Sequence, residues 1–231
     1  MIKRRGLILS ALAATGLAAA GATVPGYRWR VAAQQVLDPY PSPLEPAETS
    51  FAQPEAWARK LVIAAEEQIG RTVTYDPSYV GLAYPGGDVP IDRGVCTDVI
   101  VRAYRDAFGV DLQRLVHEDM RAHFAVYPKT WGLRKPDRNI DHRRVRNLAT
   151  FFRRKGAEQP VSNDPTAYLP GNIVAQMLPG NLTHMAIVTD RISADRKRPL
   201  VAHNIGAGTR LEDTLFSFEI TGHFRYRPAR A

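Results

Sequence analysis

The chain is 231 residues long and basic, with 31 Lys and Arg against 23 Asp and Glu and a formal net charge of +8. Its single cysteine excludes an internal disulfide framework. The positive charge is not gathered into a stripe with a recognisable motif, which excludes a nucleic-acid reader.

Lys3, Arg4 and Arg5 precede an apolar, small-residue run from Gly6 to Val24, and Ala20 and Ala22 offer a cleavage site, so residues 1–22 read as a signal peptide. The paired arginines followed by Gly6, Leu7, Ile8 and Leu9 fit the general secretory and the twin-arginine routes alike. An uncleaved anchor is the alternative, disfavoured because Ala and Gly outnumber Leu and Ile; the chain then meets a membrane only through this segment. No cysteine follows the run, which excludes lipoprotein processing. The expected location is the periplasm or cell envelope. Removing residues 1–22 takes away three positive charges and leaves a net of +5, suited to an anionic surface. Residues 23–50 carry Pro25, Pro39, Pro41, Pro43 and Pro46 and read as a proline-rich linker. Residues 51–231 then form a single domain, large enough for its own core and too short for two, taken as a monomer.

A first helix is expected from Pro54 to Ile69, with Trp57, Leu61, Ala64 or Ala65 and Ile69 on one face and Gly70 as its stop. Residues 71–95 place Tyr75, Tyr79 and Tyr84 among prolines and glycines, a composition that favours turns. Those tyrosines either pack on the core or line a substrate site. The next helix, from Thr97 to Phe108, repeats Val99 and Ile100, Ala103 and Tyr104, Ala107 and Phe108 at the spacing of a buried stripe, and Gly109 ends it.

Cys96 therefore falls at a helix start. Free amides and the positive end of the helix dipole stabilise a thiolate there, so a lowered thiol pKa is expected. The same amides can donate to an oxyanion formed when sulfur attacks a carbonyl. Asp98 opposes the thiolate by its charge; its structural roles would be helix capping or holding Arg102.

A third helix is expected from near Asp111 towards Phe124. It carries His117 and His123, and with His142 these are assigned to helix or loop surface; nothing distinguishes His223. His184 and His203 differ in their surroundings. Ile173 to Ala175, His184 to Val188, and Leu200 to His203 read as successive antiparallel strands separated by turn residues. His184 heads the second strand and His203 closes the third, so both imidazoles reach one end of a sheet. A helix packed on that sheet would present Cys96 to His184, with His203 orienting the base. The fold class is α+β, with N-terminal helices packed on a small antiparallel sheet.

The order of a helix-start cysteine, a proline-glycine strand, a histidine-headed strand and a polar residue ending the next strand resembles the NlpC-type branch of papain-like cysteine peptidases. The runs Asp88 to Arg105, Asp141 to Leu148 and Leu200 to Gly208 more closely resemble an exported bacterial family catalogued as domain of unknown function 1287, over about Trp57 to Tyr226. The resemblance implies a papain-like fold with Cys96 as nucleophile, His184 as base and His203 as third member. NlpC-type enzymes usually have Asp before the cysteine and Ser then Gly after it. Here Val95, Thr97 and Asp98 stand in those positions, which departs from the usual reading of a free peptide amino end.

The implied chemistry is amide hydrolysis, and the substrate implied by the clan and by export is a peptidoglycan stem peptide. Tyr75, Tyr84, Asp98, Trp131 and Asn204 are candidate substrate contacts. Leu133 to Lys155 holds nine basic residues against Asp137 and Asp141; most are read as a solvated helix face with Leu148, Phe151 and Phe152 inward. No cofactor is expected. Zinc on Cys96, His184 and His203 would lack paired ligand spacing and a fourth ligand. Two further readings are an envelope-binding protein without turnover and a thiol acyltransferase.

Overall fold

The computed structural model describes residues 53–229. The expected signal peptide and linker, and the first two residues of the expected domain, lie outside them. No helix of the described residues is long and apolar enough to cross a membrane.

Helix α1, Ala56–Glu66, buries Trp57, Leu61, Ala64 and Ala65. It ends before Ile69 because the Gln68 and Ile69 amides donate to Ala65 and Glu66, three residues back, tightening the chain into turns. The stretch expected to be irregular contains a short parallel pair, β1 (Thr74–Tyr75) with β2 (Arg93–Gly94), in which Tyr75 lies opposite Gly94. That pairing sets Tyr75 beside the approach to Cys96. Helix α2 spans Cys96–Phe108 and stops at Gly109, whose φ of 66° is left-handed and whose amide bonds the Arg105 carbonyl at 2.7 Å. Helix α3, Leu112–His123, starts after Asp111, whose carboxylate accepts from the Gln113 amide at 3.0 Å. Helix α4 spans Val145–Arg154.

Six strands follow: β3 (Glu158–Gln159), β4 (Ile173–Leu178), β5 (Leu182–Ile192), β6 (Pro199–Asn204), β7 (Thr209–Glu212) and β8 (Glu219–Phe224). They form one antiparallel sheet in the order β3-β8-β4-β5-β6-β7. The three expected strand runs lie inside β4, β5 and β6. Gly180 and Asn181, both at positive φ (79° and 58°), close the β4–β5 hairpin.

Side-chain alternation divides the sheet. Ile173, Ala175, Met185, Ile187 and Ala202 face the helices and join Leu61, Val99, Ile100, Tyr104, Leu148, Phe151 and Phe152 in the main core. Val174, Ala186, Val188 and Val201 face the other way, against Tyr168 and Leu215. The molecule is an α+β domain with its helices on one face of an antiparallel sheet.

Candidate active site

Cys96 is the first residue of α2 and is 3% exposed. The Val95 amide donates to the Asp98 carboxylate at 2.7 Å, fixing the turn that enters the helix. The expected low thiol pKa does not hold. Burial pushes the Cys96 thiol up to about 11, and the Asp98 charge adds to this; the Met185, Thr97 and Cys96 amides pull the other way and do not win. The resting group is a neutral thiol.

His184 and His203 are both buried and joined, His184 Nε2 to His203 Nδ1 at 2.8 Å. The other ring nitrogen of His203, Nε2, lies 2.8 Å from Glu212 Oε2. Burial raises the Glu212 pKa, but the hydrogen bond and charge of His203 and the charge of Arg210 outweigh it, so the carboxyl is held below its usual range. An ionised Glu212 accepts from His203 Nε2–H. With His203 donating at Nε2, its Nδ1 can accept from His184 Nε2–H, which leaves His184 a lone pair on Nδ1. That tautomer is the one a general base requires. Burial, and next the neighbouring His203, hold the His184 pKa well below its ordinary value, so its imidazole rests neutral.

Cys96 meets this chain at the end of a ladder. The Val188 amide and carbonyl bond Asn172 and Gly171 on the β4 side, so by alternation the Met185 and Ile187 peptide groups point towards β6. Paired residues on β5 and β6 run only as far as Ile187 and Ala202. Beyond them the Met185 amide acts on the Cys96 sulfur. His184, His203 and Glu212 lie on the face that carries Ala186 and Val201, behind this opening. Cys96 belongs to the core on the helix side of the sheet, while strand alternation turns the two imidazoles to the reverse side. Cys96 and His184 share no hydrogen bond in the resting geometry; such bonds commonly tighten only when substrate is bound.

The cleft over Cys96 has a volume of about 190 Å³ and is lined by Tyr75, Trp131, Arg143, Arg144 and Thr183, among others. Among the described residues, no group of three or more His, Cys, Asp or Glu could hold a metal ion.

Residues 62–226, more than two thirds of the chain, match the family described as Domain of unknown function (DUF1287). The chain belongs to this family. It is 54% identical over 162 residues to "Uncharacterized protein YijF" of Escherichia coli (strain K12), covering 70% of this chain and 78% of that protein. No solved structure matches.

Within this DUF1287 domain the candidate substrate contacts separate. Tyr75 and Trp131 line the cleft. Tyr84 does not; it packs edge-on against His117, ring centroids 5.2 Å apart. Asn204 is buried and donates to the Gly94 carbonyl at 3.0 Å, tying the turn before Cys96 to β6 rather than reaching substrate. Asp98 is also buried, and its partner is Arg143, Nε to Oδ1 at 3.0 Å, and not Arg102, which goes to Asp88 at 2.9 Å. Thr97 Oγ1 donates to the Arg143 carbonyl at 2.9 Å. Thr97 and Asp98, two of the departures from the NlpC-type pattern, thus fasten the Arg143–Arg144 segment beside the nucleophile.

His142 is buried rather than on the surface, and His223 is buried as well. His223 Nε2 bonds Asn172 Oδ1 at 2.7 Å, while burial and the adjacent Arg143 push the His142 pKa down to about 4. Arg143 and Arg144, expected among solvated arginines, belong to the cleft. Glu212 was missed altogether. Its signal was the hairpin Gly206-x-Gly208 followed by Thr209 to Glu212, since counting back across that turn sets Glu212 near His203.

Proposed function

We propose that the DUF1287 domain is an exported cysteine-dependent amide hydrolase with a papain-like, NlpC-type arrangement, acting on peptidoglycan stem peptides. The observation that carries this reading is the Glu212–His203–His184 chain, two contacts of 2.8 Å each, with His184 next in sequence to Met185, whose amide acts on the Cys96 sulfur.

At a thiol pKa of about 11, only roughly one molecule in three thousand carries a thiolate at pH 7.5. Proton removal must therefore accompany attack. His184 Nδ1 takes the Cys96 proton as sulfur bonds the scissile carbonyl carbon. Positive charge on His184 is delocalised towards His203 and offset by Glu212. First-turn amides of α2 stabilise the oxyanion. Imidazolium His184 then protonates the leaving amine, the C–N bond breaks to leave a thioester, and water activated by neutral His184 releases the acid. Export, the basic surface and a cleft with two arginines and no carboxylate in its lining support an anionic wall peptide.

A second reading, a binding protein without turnover, is favoured by the raised thiol pKa and the absent Cys96–His184 hydrogen bond. Incubation with purified peptidoglycan and defined stem peptides, with products read by mass spectrometry beside Cys96→Ser, separates the two. Hydrolysis is expected from the wild type and not from the variant, and His184→Ala should lose more than His203→Ala. Intact peptides, or equal product from Cys96→Ser, would sink the hydrolase reading.

A further inference from the structure

The arginines around Cys96 are not equivalent. Arg143 is spent on Asp98 and on the Ser78 and Asp76 carbonyls. Arg102, nearly two turns into α2, is spent on Asp88, Thr72 and three carbonyls. Arg144 makes no side-chain hydrogen bond among the described residues, although its side chain is only 17% exposed. Among the described residues its ion-pair partner is Asp141, at 3.7 Å, too long for a hydrogen bond, with Asp137 acting from further off, and Asp141 Oδ1 is itself buried without a hydrogen-bond partner. The guanidinium carbon lies 4.2 Å over the Trp131 ring, which holds the plane of the fork. None of the Arg144 guanidinium nitrogens is among the fully enclosed polar atoms, so the N–H fork stays open to the cleft and can take an acceptor that enters it.

Arg144 and Trp131 line the same cleft as Cys96. Its 190 Å³ falls below the roughly 300–1,000 Å³ of pockets for drug-sized ligands, and suits a short peptide segment. A guanidinium stacked on an indole and without a hydrogen-bonded acceptor matches a carboxylate in bidentate geometry better than it matches a neutral amide.

Resting on the hydrolase reading, we propose that Arg144, stacked on Trp131, is a carboxylate-reading subsite, and that the substrate is a peptide amide with a free carboxylate on a residue adjoining the scissile bond. This makes Arg144 a specificity-determining residue. It also supplies an anionic-substrate rule in place of the free amino end that NlpC-type Asp and Ser residues read.

The test uses the full chain and two reagents that differ only in charge, iodoacetate and iodoacetamide. With either, the Cys96 sulfur bonds the methylene carbon, iodide leaves and the thiol proton passes to His184 or solvent. Second-order rates of Cys96 alkylation, each normalised to the same reagent with free cysteine, are compared at pH 7.5. The wild type is expected to favour iodoacetate by about tenfold, the size of a modest charge-assisted contact. Arg144→Gln should abolish the preference, while Arg146→Gln, on the exposed side of α4, should keep it. Should Arg144→Gln fail to fold, protection of the wild type decides: succinate should slow iodoacetamide and succinamide should not. Equal normalised rates in the wild type, or a preference that survives Arg144→Gln, would overturn the subsite and leave the nucleophile standing. No alkylation of Cys96 by either reagent would overturn both.

Discussion

Glu212→Gln removes one charge from the far end of the relay and leaves its shape. In the wild type the carboxylate accepts from His203 Nε2 at 2.8 Å, with the Glu212 side chain only 10% exposed. A hydrogen bond to a charged group contributes about 1.5–3 kcal/mol and a neutral one about 0.5–1.5 kcal/mol, so the exchange removes on the order of 1.4 kcal/mol from the imidazolium state. That predicts a fall of about tenfold in any step in which His184 takes the Cys96 proton. The amide can also present N–H to His203, turning its tautomer so that His203 donates to His184 Nε2 and the base nitrogen is lost. The assay is the second-order rate of Cys96 alkylation by iodoacetamide from pH 6.5 to 10.5. The deficit should be full near pH 7 and narrow towards pH 10.5, where hydroxide ionises a thiol of pKa about 11 without His184. A variant equal to the wild type, or one slowed by the same factor at every pH, would refute the relay.

Other predictions concern the frame and its response to acid. Asp98→Asn leaves the Arg143 guanidinium buried without its counter-charge, both side chains being at most 3% exposed, and should cost about 3–5 kcal/mol by denaturant titration. On acidification, the unfolded chain protonates His142 near pH 6.5 while the native group waits until about 4, so stability is lost as pH falls through that window, by about 3 kcal/mol. Asp141 acts in the opposite sense. Burial raises its native pKa to about 6, so between pH 6 and the unfolded value the native state holds a proton that the unfolded state releases, and stability rises by about 3 kcal/mol as pH falls. His184 is shifted in the same direction as His142 and tips the balance. Thermal midpoints should therefore fall from pH 7 to pH 4.5, and His142→Gln should flatten the slope.

Helices α2 and α3 were legible because each carries a buried stripe with a glycine or a capping aspartate at an end, as at Gly109 and Asp111; α1 was legible by its stripe, but not its end at Glu66. Strands β4, β5 and β6 were legible as apolar runs between turn residues. Strands β3, β7 and β8 were not, since each is short and polar or interrupted by glycine, and only pairing with a neighbour makes it a strand. The histidine pair could be inferred from strand ends alone. The thiol pKa could not, because helix position favours the thiolate while burial, a tertiary property, opposes it and is the larger effect. Asp98 and Asn204 look like substrate contacts in sequence because they flank the site; the fold uses both to hold the turn around Cys96. Arg144 was hidden among nine basic residues, and only its lack of an acceptor distinguishes it.

The central claim is that Cys96 carries the acyl group after His184 takes its proton. Wild-type protein mixed with a stem peptide, quenched in acid within the first turnover and digested, should yield the Cys96-containing fragment with the acyl portion attached as a thioester. His184→Ala should yield none. Product formation that persists in Cys96→Ser, or a thioester that forms as fast in His184→Ala as in the wild type, would contradict it.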